Sequence, residues 1–371
     1  MNLFNAKILV IKVGSSLLIN ENKFNSVWLD NFATDINSII KKKIKVLIVA
    51  SGAVSLGRKY LDIEIEKKLK INEKQACAAC GQSLLMNNFI SSFSKKRLRV
   101  AQILLTFSDT EERRKNLNAR ETIKNLMLSN VIPIINENDT IATEELKFGD
   151  NDRLAARVAQ IVNADYLILL SDVDGLYDHN PINNSNAKLV NFVKKIDKNI
   201  IGMASNETNR YGSGGMKTKI EAAQMAMSFG CNTLICSGKV KKPLKRIFES
   251  SDKVGTWFLP SEKKISPFKS WLASSIDVTG KITIDEGAEE ALNNGASLLP
   301  SGVINIKGKF NRGDIVEVFS KSSIFIGKGI IAYDFEEAKM ILGKKTNQIE
   351  SILGYLGREE LIHRDNFIIG E

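Results

Sequence analysis

Short runs of apolar, largely β-branched residues alternate with helix-length segments over the first two thirds of the chain. The runs are Ile8–Val13, Val46–Ala50, Arg99–Leu105, Val131–Ile135, Tyr166–Leu170 and Thr233–Cys236. Apolar strands that alternate with helices are typical of a parallel sheet that is covered on both faces. The pattern therefore predicts an α/β fold with a mostly parallel sheet sandwiched by helices.

Small or polar residues follow the end of each of these runs. They are Gly14-Ser15-Ser16, Ser51-Gly52-Ala53, Thr106, Asn136-Glu137-Asn138-Asp139, Ser171-Asp172 and Ser237-Gly238. In open α/β sheets, ligands bind beyond the carboxyl ends of the strands. We therefore expect one site that is assembled from six loops.

The pattern changes after Gly255, where a polar segment bounded by Pro260 and Pro267 reads as a linker. Four short apolar runs follow it, Lys281–Ile284, Val303–Lys307, Ile315–Phe319 and Ile324–Ile326. Short strands punctuated by glycines predict a small, mainly β barrel. The predicted boundaries are a first domain at residues 1–262, a linker at 263–273 and a second domain at 274–371.

Length and composition agree with two folded domains. A chain of 371 residues exceeds what one hydrophobic core usually fills, and 43% of its residues are hydrophobic. Its apolar runs are much shorter than the roughly 20 residues of a membrane-spanning helix. Its four cysteines lack disulfide-framework spacing, and no secretory leader pattern is recognisable. We therefore expect a cytoplasmic protein without a membrane span.

Two of the cysteines lie in Cys77-Ala78-Ala79-Cys80, which formally matches a redox or half-zinc pattern. The surrounding alanines and Gly81 instead favour small packing positions on a helix.

The net charge of +10 is unevenly distributed. Residues 275–371 contain 11 Lys and Arg against 15 Asp and Glu, a net charge of −4, which leaves +14 for residues 1–274. A basic first domain fits either anionic substrates or nucleic acid.

A glycine-rich segment, Gly212–Lys219, overlaps the helical spacing of Met216, Ile220, Ala223 and Met227. This spacing predicts that a helix starts at the Gly214-Gly215 pair. Lys217 and Lys219 then lie in the first helical turn, where cations oppose the helix dipole by about 0.3–1 kcal/mol each. A bound anion removes this conflict. The segment therefore predicts a phosphate-binding turn.

Two further clusters contain charged residues that we expect to lie at the same site. Lys12-Val13-Gly14-Ser15-Ser16 ends the first strand, and Phe148-Gly149-Asp150-Asn151-Asp152 precedes a helical segment. The two carboxylates of the second cluster could orient lysines, hold a metal ion or bind a substrate ammonium group. Neither the Walker A spacing nor Gly-x-Gly-x-x-Gly after the first strand is present.

These features fit an ATP-dependent kinase whose acceptor is a small carboxylate. Such an acceptor is already ionised at pH 7, so phosphoryl transfer to it requires positioning and charge neutralisation but no general base.

Together, the clusters around Lys12, Ser51, Asp139, Asp152 and Lys219 make the chain resemble the glutamate 5-kinases of the amino-acid kinase family. Its C-terminal part is similar to the PUA domain that bacterial members append. The segments that carry this second likeness are Phe310-Asn311-Arg312-Gly313-Asp314, Ile352-Leu353-Gly354-Tyr355 and His363-Arg364-Asp365.

The resemblance implies transfer of the ATP γ-phosphoryl group to the γ-carboxylate of L-glutamate with Mg²⁺, the first step of proline biosynthesis. It also implies inhibition by L-proline and a homo-oligomer, either a tetramer or a dimer.

The resemblance further implies roles for individual residues. Ser51, Asp139 and Asn151 would bind glutamate, while Lys12 and Lys219 would stabilise the transferred phosphoryl group and Asp152 would orient both lysines. The nucleotide-binding set would be Lys12, Ser171, Asp172, Ser213, Gly214, Gly215, Met216, Lys217, Thr218 and Lys219. We expect Lys219 to matter more than Lys217. The Mg²⁺ ion would arrive on ATP, with Asp150 as the one candidate side-chain ligand.

The chain departs from the family pattern at three positions. Ser213 replaces the usual threonine, Lys217 adds a charge, and Arg157 occupies a position that is more often small or apolar. Arg157 follows Asp152 by five residues, so it could adjust the local charge.

Two alternatives remain. Acetylglutamate kinase, aspartokinase and uridylate kinase share the lysine and glycine pattern, but the Gly149–Asp152 cluster and the appended domain speak against them. PUA domains elsewhere bind RNA, yet the net charge of −4 on residues 275–371 speaks against nucleic-acid binding here.

Overall fold

A computed structural model of the chain describes residues 3–20, 23–64, 66–142, 151–181, 184–204, 215–250, 254–260, 267–276, 278–355 and 357–370. The chain divides into two compact units, Met1–Lys264 and Ile265–Glu371. Among the described helices, none combines the length and the apolar character that a membrane span requires.

The first unit contains alternating strands and helices. Its strands are β1 Ile8–Val13, β2 Ile19–Asn20, β3 Lys23–Phe24, β4 Lys45–Ala50, β5 Arg99–Leu105, β6 Val131–Glu137, β7 Tyr166–Ser171, β8 Phe192–Val193, β9 Asn232–Ser237 and β10 Thr256–Phe258. Its helices are α1 Ser15–Leu18, α2 Ser26–Ile40, α3 Ala53–Tyr60, α4 Ile71–Ser94, α5 Phe107–Glu111, α6 Arg113–Leu128, α7 Asn151–Val162, α8 Lys198–Ala204, α9 Met216–Ser228 and α10 Pro243–Glu249.

Eight strands form the main sheet in the order β5-β6-β4-β1-β7-β9-β10-β8. The six strands from β5 to β9 in that order are parallel, whereas β10 runs antiparallel to β9 and carries β8 at the edge. The six predicted apolar runs are these six parallel strands. The predicted mostly parallel α/β fold is therefore confirmed.

Two hydrophobic cores cover the two faces of this sheet. Leu9 and Ile11 of β1 pack into the core that includes residues of α2, α4 and α10, whereas Val10 packs into the core that includes residues of α6, α7 and α9. Side chains alternate between the faces of a strand. Lys12, two residues after Val10, therefore points to the face that α7 and α9 cover.

Helices α3 and α4 cross with their backbones in close contact. A Cβ atom on Gly81 would lie 1.8 Å from the carbonyl oxygen of Ala53, and one on Gly57 would lie 1.7 Å from the carbonyl oxygen of Cys77. Cys77 is fully buried on α4. The predicted small packing positions on a helix are therefore confirmed for Cys77, Ala78 and Gly81, whereas Ala76 and Ala79 are exposed.

The second unit is built on a five-stranded sheet. Its elements are α11 Pro267–Ser274, β11 Gly280–Ile284, α12 Glu286–Asn293, β12 Val303–Gly308, β13 Ile315–Ser320, β14 Phe325–Ile330, α13 Phe335–Ile341, α14 Ile349–Leu353 and β15 Phe367–Ile369. The strand order is β12-β11-β13-β14-β15, and only β11 and β13 pair in parallel. This sheet agrees with the predicted mainly β second domain, although the sequence reading did not include β15.

Helix α11 occupies most of the stretch predicted as a linker, residues 263–273. Its Trp271 and Leu272 are buried with Ile315 and Ile330 of the second unit. The segment thus contributes to the core of this unit.

We predict that Gly81→Ala destabilises the first unit, because the added methyl group forces α3 and α4 apart. Overpacking of this kind costs about 1–3 kcal/mol. Urea unfolding followed by circular dichroism measures the change. Gly202→Ala is the matched control, since Gly202 lies in α8 with nothing within 4 Å of the added Cβ. The control is expected to be neutral or more stable by up to about 1 kcal/mol.

Candidate active site

A fully buried carboxylate joins two lysines at the carboxyl end of the sheet. Asp152 lies in the first turn of α7, and its Oδ1 atom is 2.6 Å from Lys12 Nζ. Its Oδ2 atom is 3.0 Å from Lys219 Nζ. Both lysines are nearly buried themselves. Strand β1 and helices α7 and α9 each supply one member of this triad.

The local sequence explains why these three side chains meet. Lys12 lies on the α7 and α9 face near the end of β1, and α9 begins at Met216, as the helical spacing predicts. Lys219 is therefore in the first turn of α9. Thr218 also approaches the triad, since its hydroxyl lies 3.3 Å from Asp152 Oδ2 and donates to the carbonyl oxygen of Gly215.

Charge and burial compete at Asp152. Burial by itself raises the pKa of this carboxyl group, but the positive charges of Lys12 and Lys219 outweigh that effect and hold its pKa below the ordinary value. Asp152 is therefore ionised at neutral pH. The triad carries two positive charges against one negative charge, which suits a site for an anionic group.

Asn151 organises the neighbouring part of the site. Its Nδ2 atom lies 2.8 Å from the carbonyl oxygen of Ala50, 2.9 Å from Ser51 Oγ and 2.8 Å from Asn136 Oδ1. The first residue of α7 is thereby tied to the carboxyl ends of β4 and β6. Two of the predicted substrate residues, Ser51 and Asn151, are in direct contact.

A hydrogen bond between the buried side-chain amides of Asn136 and Gln82 holds Asn136 in this arrangement. Asn136 is buried at the end of β6, and its Nδ2 atom donates to Gln82 Oε1 over 2.8 Å. Asn136 belongs to a strand-end cluster that the sequence made visible. Gln82 was missed, because a single glutamine within α4 has no neighbouring motif that marks it.

The third predicted substrate residue, Asp139, is half-buried in the turn after β6. That turn is anchored to the neighbouring strand, because the backbone N–H of Asn138 donates to the carbonyl oxygen of Leu105. Asp139 therefore lies at the same edge of the sheet as Asn136.

Two of the residues predicted to bind the nucleotide, Ser171 and Asp172, lie on the other side of β1 from Ser51 and Asn136. Ser171 is buried at the end of β7 and donates to Asp172 Oδ1 over 3.1 Å, while Asp172 is exposed. The N–H of Gly14 donates to the carbonyl oxygen of Leu170, which joins the ends of β1 and β7.

Helix α9 carries the rest of the described nucleotide set. Met216 is buried and Lys217 is exposed. Of the two lysines in this helical turn, Lys219 is the one that contacts Asp152. Ser213 and Gly214, like Asp150, lie outside the described residues. Within the described part of the chain, no group of three or more His, Cys, Asp or Glu side chains is placed to hold a metal ion.

Comparison with known proteins assigns both parts of the chain. Residues 7–237 match the model of the amino acid kinase family, and residues 280–353 match the PUA domain. A carbamate kinase from Giardia lamblia bound to AMP-PNP shares the fold, with a TM-score of 0.50 at 16% identity. That likeness covers 70% of this chain and 100% of the other.

Closer relatives cover almost the whole sequence. The glutamate 5-kinase of Pelagibacter ubique is 47% identical over 369 residues, which is 99% of this chain and 100% of the relative. The glutamate 5-kinase of Agrobacterium fabrum is 45% identical over 97% of this chain and 92% of the relative. The chain therefore belongs to the amino acid kinase family, in its glutamate 5-kinase group, and carries a PUA domain in its C-terminal part.

Proposed function

We propose that this protein transfers the γ-phosphoryl group of ATP to the γ-carboxylate of L-glutamate. The products are ADP and L-glutamyl 5-phosphate, in the first step of proline biosynthesis. The observation that carries the proposal is the buried Lys12–Asp152–Lys219 triad beside the Ser51–Asn151 contact. Relatives named glutamate 5-kinase, at 43–47% identity, support the choice of acceptor.

Lys12 and Lys219 neutralise charge during transfer. An oxygen of the glutamate γ-carboxylate attacks the γ-phosphorus, and the bond to the ADP oxygen breaks. Both reacting groups are anionic, so cations held in place before the reaction lower the barrier. No proton needs to be removed from the acceptor, because a carboxylate is ionised at pH 7.

Asp152 positions the two lysines. Its two oxygens hold one ammonium group each, so both cations are oriented before the substrates bind. Because its pKa is lowered, Asp152 keeps this role throughout the neutral pH range. Preorganised charge requires no rearrangement at the moment of reaction.

Glutamate binds on one side of the triad and ATP binds on the other. Ser51, Asn151 and Asp139 contribute the glutamate side, at the ends of β4, α7 and β6. The nucleotide side consists of Ser171, Asp172 and the segment from Ser213 to Lys219. Mg²⁺ carried by ATP would add positive charge on the phosphates, with Asp150 as the candidate side-chain ligand.

Three further properties belong to the proposal. L-proline inhibits the enzyme, the chain forms a homo-oligomer that is a tetramer or a dimer, and the protein is cytoplasmic. The family likeness supports the first two properties. The four cysteines form no disulfide, which fits a reducing compartment.

We predict glutamate-dependent ADP formation that yields a hydroxamate when hydroxylamine is present, because an acyl phosphate is captured by this nucleophile. Coupled ADP release and colorimetric hydroxamate detection measure the two products. N-acetylglutamate, aspartate and UMP serve as control acceptors. Equal turnover with any of these would contradict the assignment.

We predict that Lys219→Ala lowers kcat by at least about 10²–10³-fold, because the lysine meets charge that develops in the transition state. Steady-state kinetics at saturating ATP and glutamate measure the loss. Lys217→Ala is the matched comparison in the same helical turn. Its side chain is exposed, so we expect less than about a tenfold change. Near-normal kcat in folded Lys219→Ala would exclude the proposed role.

We predict that Asp152→Asn destabilises the protein by about 3–5 kcal/mol at pH 7, because two buried lysines lose their shared anion. The folded-state pKa of Asp152 is depressed, so its stabilising charge is fully present above the unfolded pKa of about 3.9. That contribution disappears as the pH falls through the folded-state pKa. The difference between wild type and variant in urea unfolding should therefore shrink below about pH 4. A difference that grows on acidification would contradict this account.

A further inference from the structure

A second buried ion pair lies in the same unit as the triad. Arg157 of α7 binds Glu111, the last residue of α5, and each residue is only 3% exposed. Arg157 Nη1 also lies 3.1 Å from Gln160 Oε1 on its own helix. Arg157 departs from the family pattern in sequence, and in the structure it pairs with Glu111.

The residues next to Arg157 in the sequence of α7 are apolar. Ala155, Ala156, Val158 and Ala159 of α7 are all fully buried in the same core. Burial lowers the pKa of Arg157, and the negative charge of Glu111 opposes that shift. A guanidinium group keeps its charge in proteins, so the contact is a true ion pair. A charge of this kind is retained at this depth only when its partner is fixed in place.

The ion pair connects α5 and α7, and both helices adjoin residues that we assign to glutamate binding. Helix α7 begins with Asn151 and Asp152. Helix α5 follows β5 directly, and Thr106 and Asp109 fix its first turn through a capping box. The last residue of β5, Leu105, accepts the hydrogen bond that anchors Asn138 next to Asp139.

The ion pair also holds the middle of α7. Three of the ten buried residues of this helix are alanines, whose short side chains make few packing contacts with neighbouring elements. A directional ion pair in the middle of the helix sets the position of α7 relative to the end of β5. The position of the first turn of α7 follows from it.

We propose that Arg157 and Glu111 are a positioning pair for the acceptor half of the site. The pair keeps Asn151 in register with the turn that carries Asp139, and it touches neither substrate. This inference rests on the proposed glutamate kinase function. Of the nucleotide residues, Ser171 and Asp172 lie on β7 and the turn after it, which the pair does not join, and Lys12 and Lys219 lie on β1 and α9. Loss of the pair should therefore affect glutamate binding far more than ATP binding.

The decisive variant is the double substitution Arg157→Leu with Glu111→Leu. It removes both charges together, and apolar replacement of a buried ion pair is often neutral or stabilising. We expect stability close to wild type, a KM for glutamate raised about fivefold or more, and a KM for ATP within about twofold of wild type. Each single leucine variant should be less stable than the double variant, since it leaves one buried charge without its partner.

Two controls separate positioning from a general structural effect. The exposed ion pair of Arg153 with Glu221 joins the same helix α7 to α9, and surface pairs contribute little. Replacing both of its members by leucine should leave both KM values unchanged. Arg157→Lys keeps the charge but loses the planar fork of donors, so it should restore part of the glutamate KM relative to Arg157→Leu.

A folded double variant with wild-type KM values for both substrates would overturn the positioning role, as would equal increases in both values. If the double variant does not fold, Arg157→Gln with Glu111→Gln gives the same test, because it removes both charges and keeps side chains that can hydrogen-bond. Wild-type protein assayed in parallel shows whether a negative result concerns the proposed function or only the positioning pair. Absence of glutamate-dependent ADP formation in wild type refutes the proposed function itself, whereas normal wild-type activity with unshifted variants refutes only the positioning pair.

Discussion

The arrangement of the first unit depends on one buried carboxylate with two lysines. Asp152 could not remain ionised at zero exposure without the charges of Lys12 and Lys219, and the lysines are buried only because the carboxylate binds them both. This mutual requirement fixes β1, α7 and α9 relative to one another. The three residues are far apart in sequence, so only the folded structure brings them together.

The parallel sheet brings the rest of the site to the same place. Six parallel strands end at one edge, where Ser51 follows β4, Asn136 is the penultimate residue of β6 and Ser171 is the last residue of β7. Asn151 connects this edge to α7 through its side-chain amide, and Gln82 supports Asn136 from α4. The close crossing of α3 and α4 allows the buried glutamine to reach that position. The packing of these helices therefore helps to set the geometry of the site.

Helix α7 combines two roles within twelve residues. Its first turn presents Asn151 and Asp152 to the site, and its middle carries Arg157 into the core toward Glu111. Polar contacts therefore hold the helix both at its first turn and at its middle. The second unit has its own core and a separate mixed sheet, and its residues 275–371 are acidic where the first part of the chain is basic.

The sequence by itself determined the six parallel strands, the start of α9 at Met216 and the clusters that contain Lys12, Asp152 and Lys219, because strand and helix periodicity and glycine placement are local properties. It also favoured Lys219 over Lys217, and in the structure Lys217 is exposed whereas Lys219 binds Asp152. Only the tertiary structure decided that Asp152 binds both lysines, that Gln82 supports Asn136 and that Arg157 pairs with Glu111. These contacts join residues 46 to 140 positions apart, and no local pattern encodes which distant side chains the packed sheet brings within reach.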